Sequence, residues 1–384
     1  MNEWDDERLA RLAINRVVEA GTPQAASLVA QYGALEAWSR IKVWNGEERV
    51  WALRAARINV EALVEEADES GMRFIIPGDD EWPDGLASLE FCGEPDGRGG
   101  VPIGLWLRGP GNLTEMTRRC VAIVGSRAST RYGEIVATEL ANDLTMQQPS
   151  VTVISGGAYG IDACAHRGAL TGEGHTIGVF AQGLDNAYPR GNSSLFERLA
   201  TEQLVVSEAP PGFPPSKMAF LCRNRLIAAL SQATVIVEAA ARSGARNTAS
   251  WATALSRVLL AVPGPVTAAT SVTPNRLIRD AEAGLVSSVE DVLMAVGELN
   301  GYGQEPLFTA KSQWDELTDA QRLLLEALPP RGWRTQGELS LVSGLPMSKC
   351  LAAISELDAL GLLVSGSSGW RLAAGGSQQL REAA

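Results

Sequence analysis

Two kinds of hydrophobic pattern follow one another along the middle of the chain. Short continuous apolar runs, typical of strands buried on both faces, occur at 121–124, 151–155, 176–181, 204–207, 234–238, 258–262 and 284–287. Between most of them lie segments with the period of amphipathic helices, at 131–146, 161–171, 193–201, 220–230, 247–255 and 274–282. This alternation predicts an α/β fold in which helices cover both faces of a parallel sheet.

The two ends of the chain predict smaller units. Residues 1–65 have a helical period and indicate a helical module of the SAM or helix-hairpin type. Residues 66–298 then form the α/β core, in which the Gly- and Pro-rich stretch 92–112 is expected to be loop with a short strand at 105–107. Residues 307–374 predict two helices and a hairpin, the order of a winged helix, and residues 375–384 predict a tail. Within this last unit, Thr335 to Glu338 has the pattern of a capping box.

Charge is unevenly distributed over these regions. The chain of 384 residues has a net charge of −12, which by itself argues against a nucleic-acid partner. Residues 1–117, however, hold 11 basic and 21 acidic side chains, whereas residues 118–298 hold 15 of each. The central region therefore has no net charge, and clusters of basic residues within it are compatible with a local basic crevice.

Several classes of protein are disfavoured by composition. No apolar run reaches the ~18 residues of a membrane helix, and the acidic N-terminus lacks the apolar core of a signal peptide. The five cysteines are far apart and the chain has two histidines, so we expect reduced cysteines and no metal site. These features favour a cytoplasmic protein without a membrane partner.

Glycines and polar groups directly follow several predicted strands. The segments are Gly125-Ser-Arg127, Ser155-Gly-Gly-Ala-Tyr-Gly-Ile-Asp162, Phe220-Leu-Cys-Arg-Asn-Arg225, and Glu238 followed by Ser243-Gly244. Because the carboxyl ends of parallel strands meet at one edge of a sheet, we expect these groups to line one crevice. Backbone N–H groups, hydroxyls and guanidiniums suit phosphate. The Rossmann glycine motif and the Walker lysine motif are absent, so no nucleotide cofactor is expected.

Two pairs of side chains within these segments allow more than one interpretation. Asp162 and His166 are four residues apart on a predicted helix, which suits a metal pair or an acid–base pair, but no third ligand is evident and a structural hydrogen bond is favoured. Phe220 and Arg223 are three residues apart and can share a helix face. A cation beside an aromatic ring suits a nucleotide, because the ring can stack on a base while the cation holds the backbone; the alternative is a core phenylalanine with solvated arginines.

Taken together and in this order, the motifs resemble the DprA/Smf family of DNA-processing proteins. Further matching stretches are Tyr132-Gly133, Gly183-Leu-Asp185, Tyr188-Pro189, Ser207-Glu208, Thr248-Ala249 and Val262-Pro-Gly264. The resemblance implies an extended Rossmann-like core that binds single-stranded DNA without sequence preference, forms a homodimer and helps to load the RecA recombinase in transformation or recombination. The segments 271–274 and 280–284 depart from the family pattern.

The resemblance also implies which residues bind the strand. Carried over by position, Arg127, Lys217, Arg223 and Arg225 would hold phosphates and Phe220 would stack on a base. The full set is Gly125, Ser126, Arg127, Gly156, Gly157, Lys217, Phe220, Arg223, Asn224 and Arg225. No catalytic residue is implied, so we expect a binding protein and not an enzyme.

Two other functions remain open from the sequence. One is a nucleoside monophosphate hydrolase of the lysine-decarboxylase-like type, with Glu208 and Glu238 as general acids, although its Pro-Gly-Gly-x-Gly-Thr signature is missing. The other is a transcription regulator that reads DNA with the winged helix. Its presumed recognition helix carries Lys349 against Glu356 and Asp358, so we expect this unit to contribute little to DNA affinity.

Overall fold

The computed structural model describes residues 4–46, 49–93, 95–241, 243–300, 317–329 and 332–373. The chain divides into two compact units, Met1–Gln304 and Glu305–Ala384. None of the helices in the described part of the chain is long and apolar enough to span a membrane.

Five helices open the first unit. They are α1 Asp6–Val17, α2 Pro23–Tyr32, α3 Ala34–Lys42, α4 Val50–Ala55 and α5 Val60–Glu69. The Asp5 side chain accepts the backbone N–H of Arg8 and so begins α1, whose fully buried Ile14 packs with Trp51 of α4. The helical period of this region is confirmed. These helices belong to the same compact unit as the sheet, and a separate domain ending near residue 65 stays a prediction.

A nine-stranded sheet forms the centre of this unit. The strands are β1 Arg73–Ile75, β2 Leu105–Arg108, β3 Cys120–Val124, β4 Thr152–Ser155, β5 Thr176–Phe180, β6 Leu204–Ser207, β7 Ala233–Ile236, β8 Val258–Ala261 and β9 Gly284–Leu285. Their order is β1-β2-β6-β5-β4-β3-β7-β8-β9. The seven strands from β3 to β9 are parallel, and in the centre Val121 is in register with both Val153 and Ala233.

Helices cover both faces of the sheet, as the alternation predicted. They are α6 Leu113–Thr117, α7 Arg131–Thr145, α8 Ile161–Thr171, α9 Ser193–Glu202, α10 Lys217–Leu230, α11 Gly244–Ala254, α12 Val272–Arg279 and α13 Val289–Asn300. Successive residues of β3 point to opposite faces. Val121 and Ile123 pack among apolar residues of α7 and α8, whereas Ala122 and Val124 pack among those of α10 and α11. The predicted α/β fold with an extended parallel sheet is confirmed.

One edge of the sheet differs from the prediction of an all-parallel arrangement. The short strand expected at 105–107 is β2, which pairs antiparallel with β6, and β1 adds antiparallel to β2. Strand β1 was not predicted, because three residues carry too little periodicity to indicate a strand. Pairing with β2 stabilises it, and that partner lies about 30 residues away in the sequence.

Within its described residues, the second unit contains three helices and a hairpin. They are α14 Asp319–Ala327, α15 Gln336–Ser343, α16 Met347–Ala359, β10 Leu363–Gly366 and β11 Gly369–Leu372. The capping box from Thr335 to Glu338 is confirmed at the start of α15. Helix α16 ends before Gly361, whose φ of 71° favours glycine. The two predicted helices, α15 and α16, and the hairpin follow in the expected order, whereas α14 was not predicted; the winged-helix fold itself stays a prediction. The predicted tail, 375–384, lies outside the described residues.

Candidate nucleic-acid interface

A cleft of about 650 Å³ lies at the carboxyl edge of the parallel strands. Residues 124–128 reach it from the end of β3, Ala158 from the loop after β4 and Tyr188 from the loop after β5. The first half of α10 and residues 243–248, after β7, form the remaining walls. The expectation that these segments converge on one crevice is therefore confirmed.

The N-terminal ends of three helices also reach this cleft. Ala158 lies shortly before α8, Ser216 is the N-cap of α10 and Ser243 is the N-cap of α11. The Ser216 side chain accepts the backbone N–H of Ala219 at 3.1 Å, so α10 begins at Lys217, three residues before the predicted start. The positive ends of helix dipoles favour a negatively charged ligand.

Three cationic side chains line the cleft and differ in how firmly they are held. Arg127 and Lys217 are exposed, whereas Arg223 is only 6% exposed. The Nη1 of Arg223 donates a hydrogen bond of 2.7 Å to the carbonyl oxygen of Val179. Burial lowers the pKa of Arg223 to about 10, so it stays charged at neutral pH. The described residues thus give the cleft one fixed and two exposed positive charges.

Two aromatic rings lie beside these cations. The guanidinium carbon of Arg127 is 4.7 Å from the centre of the Phe220 ring, a cation–π contact. The Tyr188 ring centre is 5.7 Å from that of Phe220, with the rings tilted by 42°. Lys217, Phe220 and Asn224 follow one another at i, i+3 and i+7 on α10, which places them on one helix face. The arrangement can bind a phosphate next to a flat apolar group.

Asp162 brings a buried carboxyl group to the cleft. Asp162 is 6% exposed, and the nearby backbone N–H groups of Gly125 and Ala158, in the loops that follow β3 and β4, favour its charged form. Burial raises the pKa of Asp162, and the nearby Arg223 opposes that rise. Asp162 therefore lies between these two loops and the Arg223 guanidinium.

His166 is engaged in a hydrogen bond inside the core. Its ring is fully buried, and its Nδ1 lies 2.7 Å from the Oγ1 of Thr176. Burial lowers the pKa of His166 to about 3, so the ring is uncharged at neutral pH. Among the residues that the structure describes, no group of three or more His, Cys, Asp or Glu side chains is arranged to hold a metal ion.

The predicted glycines, Ser126 and Asn224 do not all line the cleft. Gly125, Ser126 and Asn224 line the cleft, and the Nδ2 of Asn224 donates to Asn247 Oδ1 at 3.0 Å. Gly156 lies behind the cleft wall, where a Cβ would come within 1.7 Å of the Arg223 guanidinium. Gly157 has a φ of 65° and packs against Phe180. These two glycines therefore make room for the wall and do not line it.

Arg225 does not lie where the sequence analysis expected it. The side chain is fully buried, away from the cleft, and its Nη2 donates a 2.7 Å hydrogen bond to Glu208 Oε1. The reason is helical geometry, because residues two apart on an α-helix do not share a face. Arg223 faces the cleft, so Arg225 faces the turn between α1 and α2, where Glu208 Oε1 also accepts the backbone N–H of Gly21 at 3.4 Å.

Glu238 is likewise part of the core, behind the cleft. It is 2% exposed and accepts the backbone N–H of Thr130 at 2.8 Å and the hydroxyls of Thr130 and Thr270 at 2.7 and 3.1 Å. It therefore holds the start of α7 against the segment after β8. Glu208 and Glu238, the two carboxylates considered as general acids, are thus engaged in contacts that position backbone and helices.

Two residues that line the cleft had no predicted role. Tyr188 was noted as a motif residue only, and the helix cap Ser216 was not singled out. A serine directly before a helical segment is a usable signal for a helix start at a binding edge. Tyr188 follows a predicted strand, which is the same signal that identified Gly125 and Ser126.

The fold and the cleft define the class: an α/β protein that presents cations, helix N-termini and aromatic rings at the carboxyl edge of a parallel sheet. The chain belongs to the DNA recombination-mediator protein A family, whose sequence model matches residues 73–297. The resemblance to DprA/Smf proteins is thereby confirmed.

Relatives and solved structures agree with this family. The chain is 40% identical over 375 residues to a DNA processing protein DprA of Mycobacterium tuberculosis strain H37Rv, covering 95% of this chain and 94% of that protein. It superposes on DNA processing protein A from Streptococcus pneumoniae with a TM-score of 0.62 and 27% identity, covering 76% of this chain and 98% of that one. It also superposes on DNA processing protein A from Helicobacter pylori, a structure whose description concerns single-stranded DNA binding. The TM-score is 0.50 and the identity 26%, covering 60% of this chain and 98% of that one.

Proposed function

We propose that this protein binds single-stranded DNA without sequence preference and acts as a recombination mediator that hands the strand to a RecA recombinase. The observation that carries the proposal is the grouping of Arg127, Lys217 and Arg223 beside the Phe220 ring in one cleft. Cations that follow the backbone together with a ring that stacks on a base are the common features of single-strand binding sites.

The residues divide the work in the following way. The exposed Arg127 and Lys217 hold phosphates, and the fixed Arg223 supplies a constant positive charge beneath them. Phe220 stacks on an unpaired base, which every base permits because each has a flat π-face. Ser126 and Asn224 position the strand by hydrogen bonds. None of these contacts reads a base edge, which supports binding without sequence preference.

Geometry favours single strands over duplex DNA. A ring can stack on a base face only when that face is free, and in a duplex both faces are covered by neighbouring base pairs. The printed description of the Helicobacter pylori relative, which concerns single-stranded DNA, supports the same ligand here.

The finer parts of the proposal rest on the family. Transfer of the strand to RecA and a homodimer formed through the α/β core are what membership of a recombination-mediator family supports. We propose that the protein is not an enzyme, since Glu208 and Glu238 hold Arg225 and the start of α7. Incubation with nucleoside monophosphates followed by chromatography tests this, and release of free base would contradict it.

Fluorescence anisotropy with a labelled oligonucleotide tests the main proposal. The full-length protein is titrated against a single strand and against the matching duplex, each at two salt concentrations. We expect tighter binding to the single strand and weaker binding at higher salt, because phosphate contacts release counterions. Equal affinity for the two forms of DNA would refute the proposal.

Two substitutions locate the site. Arg127→Ala should weaken single-strand binding by roughly 1.5–3 kcal/mol, the range for a hydrogen bond to a charged group. Phe220→Ala should cost ~1–3 kcal/mol, the stacking energy of one base. Circular dichroism is the control, because a Phe220→Ala protein that has lost its secondary structure would show that this ring is part of the core.

A further inference from the structure

Tyr188 has the features of a binding side chain that the proposed function does not yet use. It lies in the loop between β5 and α9, lines the same cleft as Phe220 and is 41% exposed. Its ring centre is 5.7 Å from that of Phe220, and the Arg127 guanidinium lies 4.7 Å from Phe220. Three flat groups from three different elements therefore form one continuous wall.

The loop that carries Tyr188 is held at both ends. On one side, the Nδ2 of Asn192 donates to the carbonyl oxygens of Gly157 and Ala158 at 3.2 and 3.1 Å. On the other, Asp185 Oδ1 accepts the backbone N–H of Gly212 at 2.8 Å. A ring presented on a restrained loop loses little conformational freedom when a ligand binds, which is the condition for an effective stacking surface.

The spacing of the two rings indicates how bases can use them. A base inserted in parallel between two rings needs about 7 Å, twice the 3.5–4.0 Å contact distance of carbon atoms. The rings of Tyr188 and Phe220 are 5.7 Å apart and tilted by 42°, so they are too close for one base to enter between them. Because both residues line the cleft, each can contact a separate base.

We propose that Tyr188 is a second base-stacking side chain, so that the cleft seats two neighbouring unpaired bases, one on Tyr188 and one on Phe220. This inference rests on the proposed binding of single-stranded DNA. It adds that the recognised unit is a dinucleotide step whose intervening phosphate lies near Arg127. The phenol hydroxyl is not required for stacking, so the ring alone carries the contact.

Four variants of the full-length protein test the role of the ring. Tyr188→Ala should weaken binding to a labelled oligothymidylate about tenfold, the equivalent of one lost base stack. Tyr188→Leu, which keeps apolar packing without a π-face, should also lose affinity, whereas Tyr188→Phe should bind like the wild type. Tyr32→Ala is the matched control, since Tyr32 is 39% exposed and lies outside the cleft.

An oligonucleotide of abasic sites separates stacking from other effects. The loss caused by Tyr188→Ala and Tyr188→Leu should disappear on this ligand, because no base remains to stack. An equal loss on normal and abasic strands would show that Tyr188 acts through phosphate or through the fold, and would overturn the inference. So would wild-type affinity of Tyr188→Leu for oligothymidylate.

The same titrations distinguish this inference from the proposed function. If the wild type does not prefer single strands, the proposed function fails. If the wild type prefers them, Arg127→Ala weakens binding and the Tyr188 variants do not, the inference about Tyr188 alone fails. Should Tyr188→Ala prove unfolded by circular dichroism, the comparison of Tyr188→Leu with Tyr188→Phe decides.

Discussion

Glu208→Gln removes the carboxylate that neutralises a fully buried guanidinium. Arg225 is 0% exposed and its Nη2 donates to Glu208 Oε1 at 2.7 Å. In the described part of the chain, the Nε and Nη1 of Arg225 have no hydrogen-bond partner. Glutamine keeps an oxygen that can accept from Arg225 and from the backbone N–H of Gly21, so the substitution removes charge while leaving size and hydrogen-bonding capacity nearly unchanged.

The expected cost is large compared with the stability of the protein. Breaking a buried ion pair by removing one charge costs about 3–5 kcal/mol, because the other charge is left without compensation. Since glutamine still accepts a hydrogen bond, we expect the lower end, about 3 kcal/mol of the free energy of unfolding. Natural domains have roughly 5–15 kcal/mol in total, so the loss should be plain in a urea titration.

Two controls define what the measurement means. Glu202→Gln removes one partner of the exposed pair with Arg198 and should cost less than about 1 kcal/mol. Replacing both buried charges in Glu208→Leu/Arg225→Met should restore much of the stability, because well-packed apolar side chains often substitute for a buried ion pair without loss. This double variant should also bind single-stranded DNA normally, since Arg225 does not line the cleft.

Two results would refute this reasoning. A Glu208→Gln protein within about 1 kcal/mol of the wild type would show that Arg225 does not depend on this carboxylate. A double variant that is folded but has lost single-strand affinity would return Arg225 to the set of phosphate-binding residues.

Three further predictions concern other parts of the chain. Gly21→Ala should lower the melting temperature, because the new Cβ would lie 2.2 Å from Cys222 Sγ and the backbone φ is 63°. Adding Cys222→Ala should restore part of the lost stability, and a double variant without any recovery would show that this contact is not the cause. The pKa of His166 is about 3 in the folded protein, compared with an ordinary value of 6.5, so its contribution to stability is full above pH 6.5 and is lost as the pH falls towards 3. The free energy of unfolding should fall by up to about 1.4 kcal/mol per pH unit in this range. Melting curves of His166→Gln should lack this pH dependence, and equal slopes for the two proteins would contradict the prediction. Deleting residues 307–384 should change single-strand affinity less than about tenfold, and a larger loss with an intact core would make the second unit a DNA-binding element.

Local patterns were sufficient for most of the core. The apolar runs predicted all seven parallel strands from β3 to β9, because strand and helix periods are properties of neighbouring residues. The same holds for the crevice, since the polar groups after β3, β4 and β7 are placed by a general rule of parallel sheets. The motifs, taken in their order along the chain, then indicated the family.

What only the tertiary structure decided is which partner each of these groups meets. The edge strand β1 exists through pairing with the distant β2, because its own three residues carry too weak a signal. A strand at the position of β2 was predicted, but its antiparallel pairing with β6 was not. Helical geometry alone excludes a shared face for Arg223 and Arg225, but the packing of the α1–α2 turn against α10 decides which of them is buried. The guanidinium of Arg223 therefore lines the cleft, where a ligand can meet its charge. That of Arg225 is neutralised by Glu208 inside the core, because a buried charge without a partner is too costly.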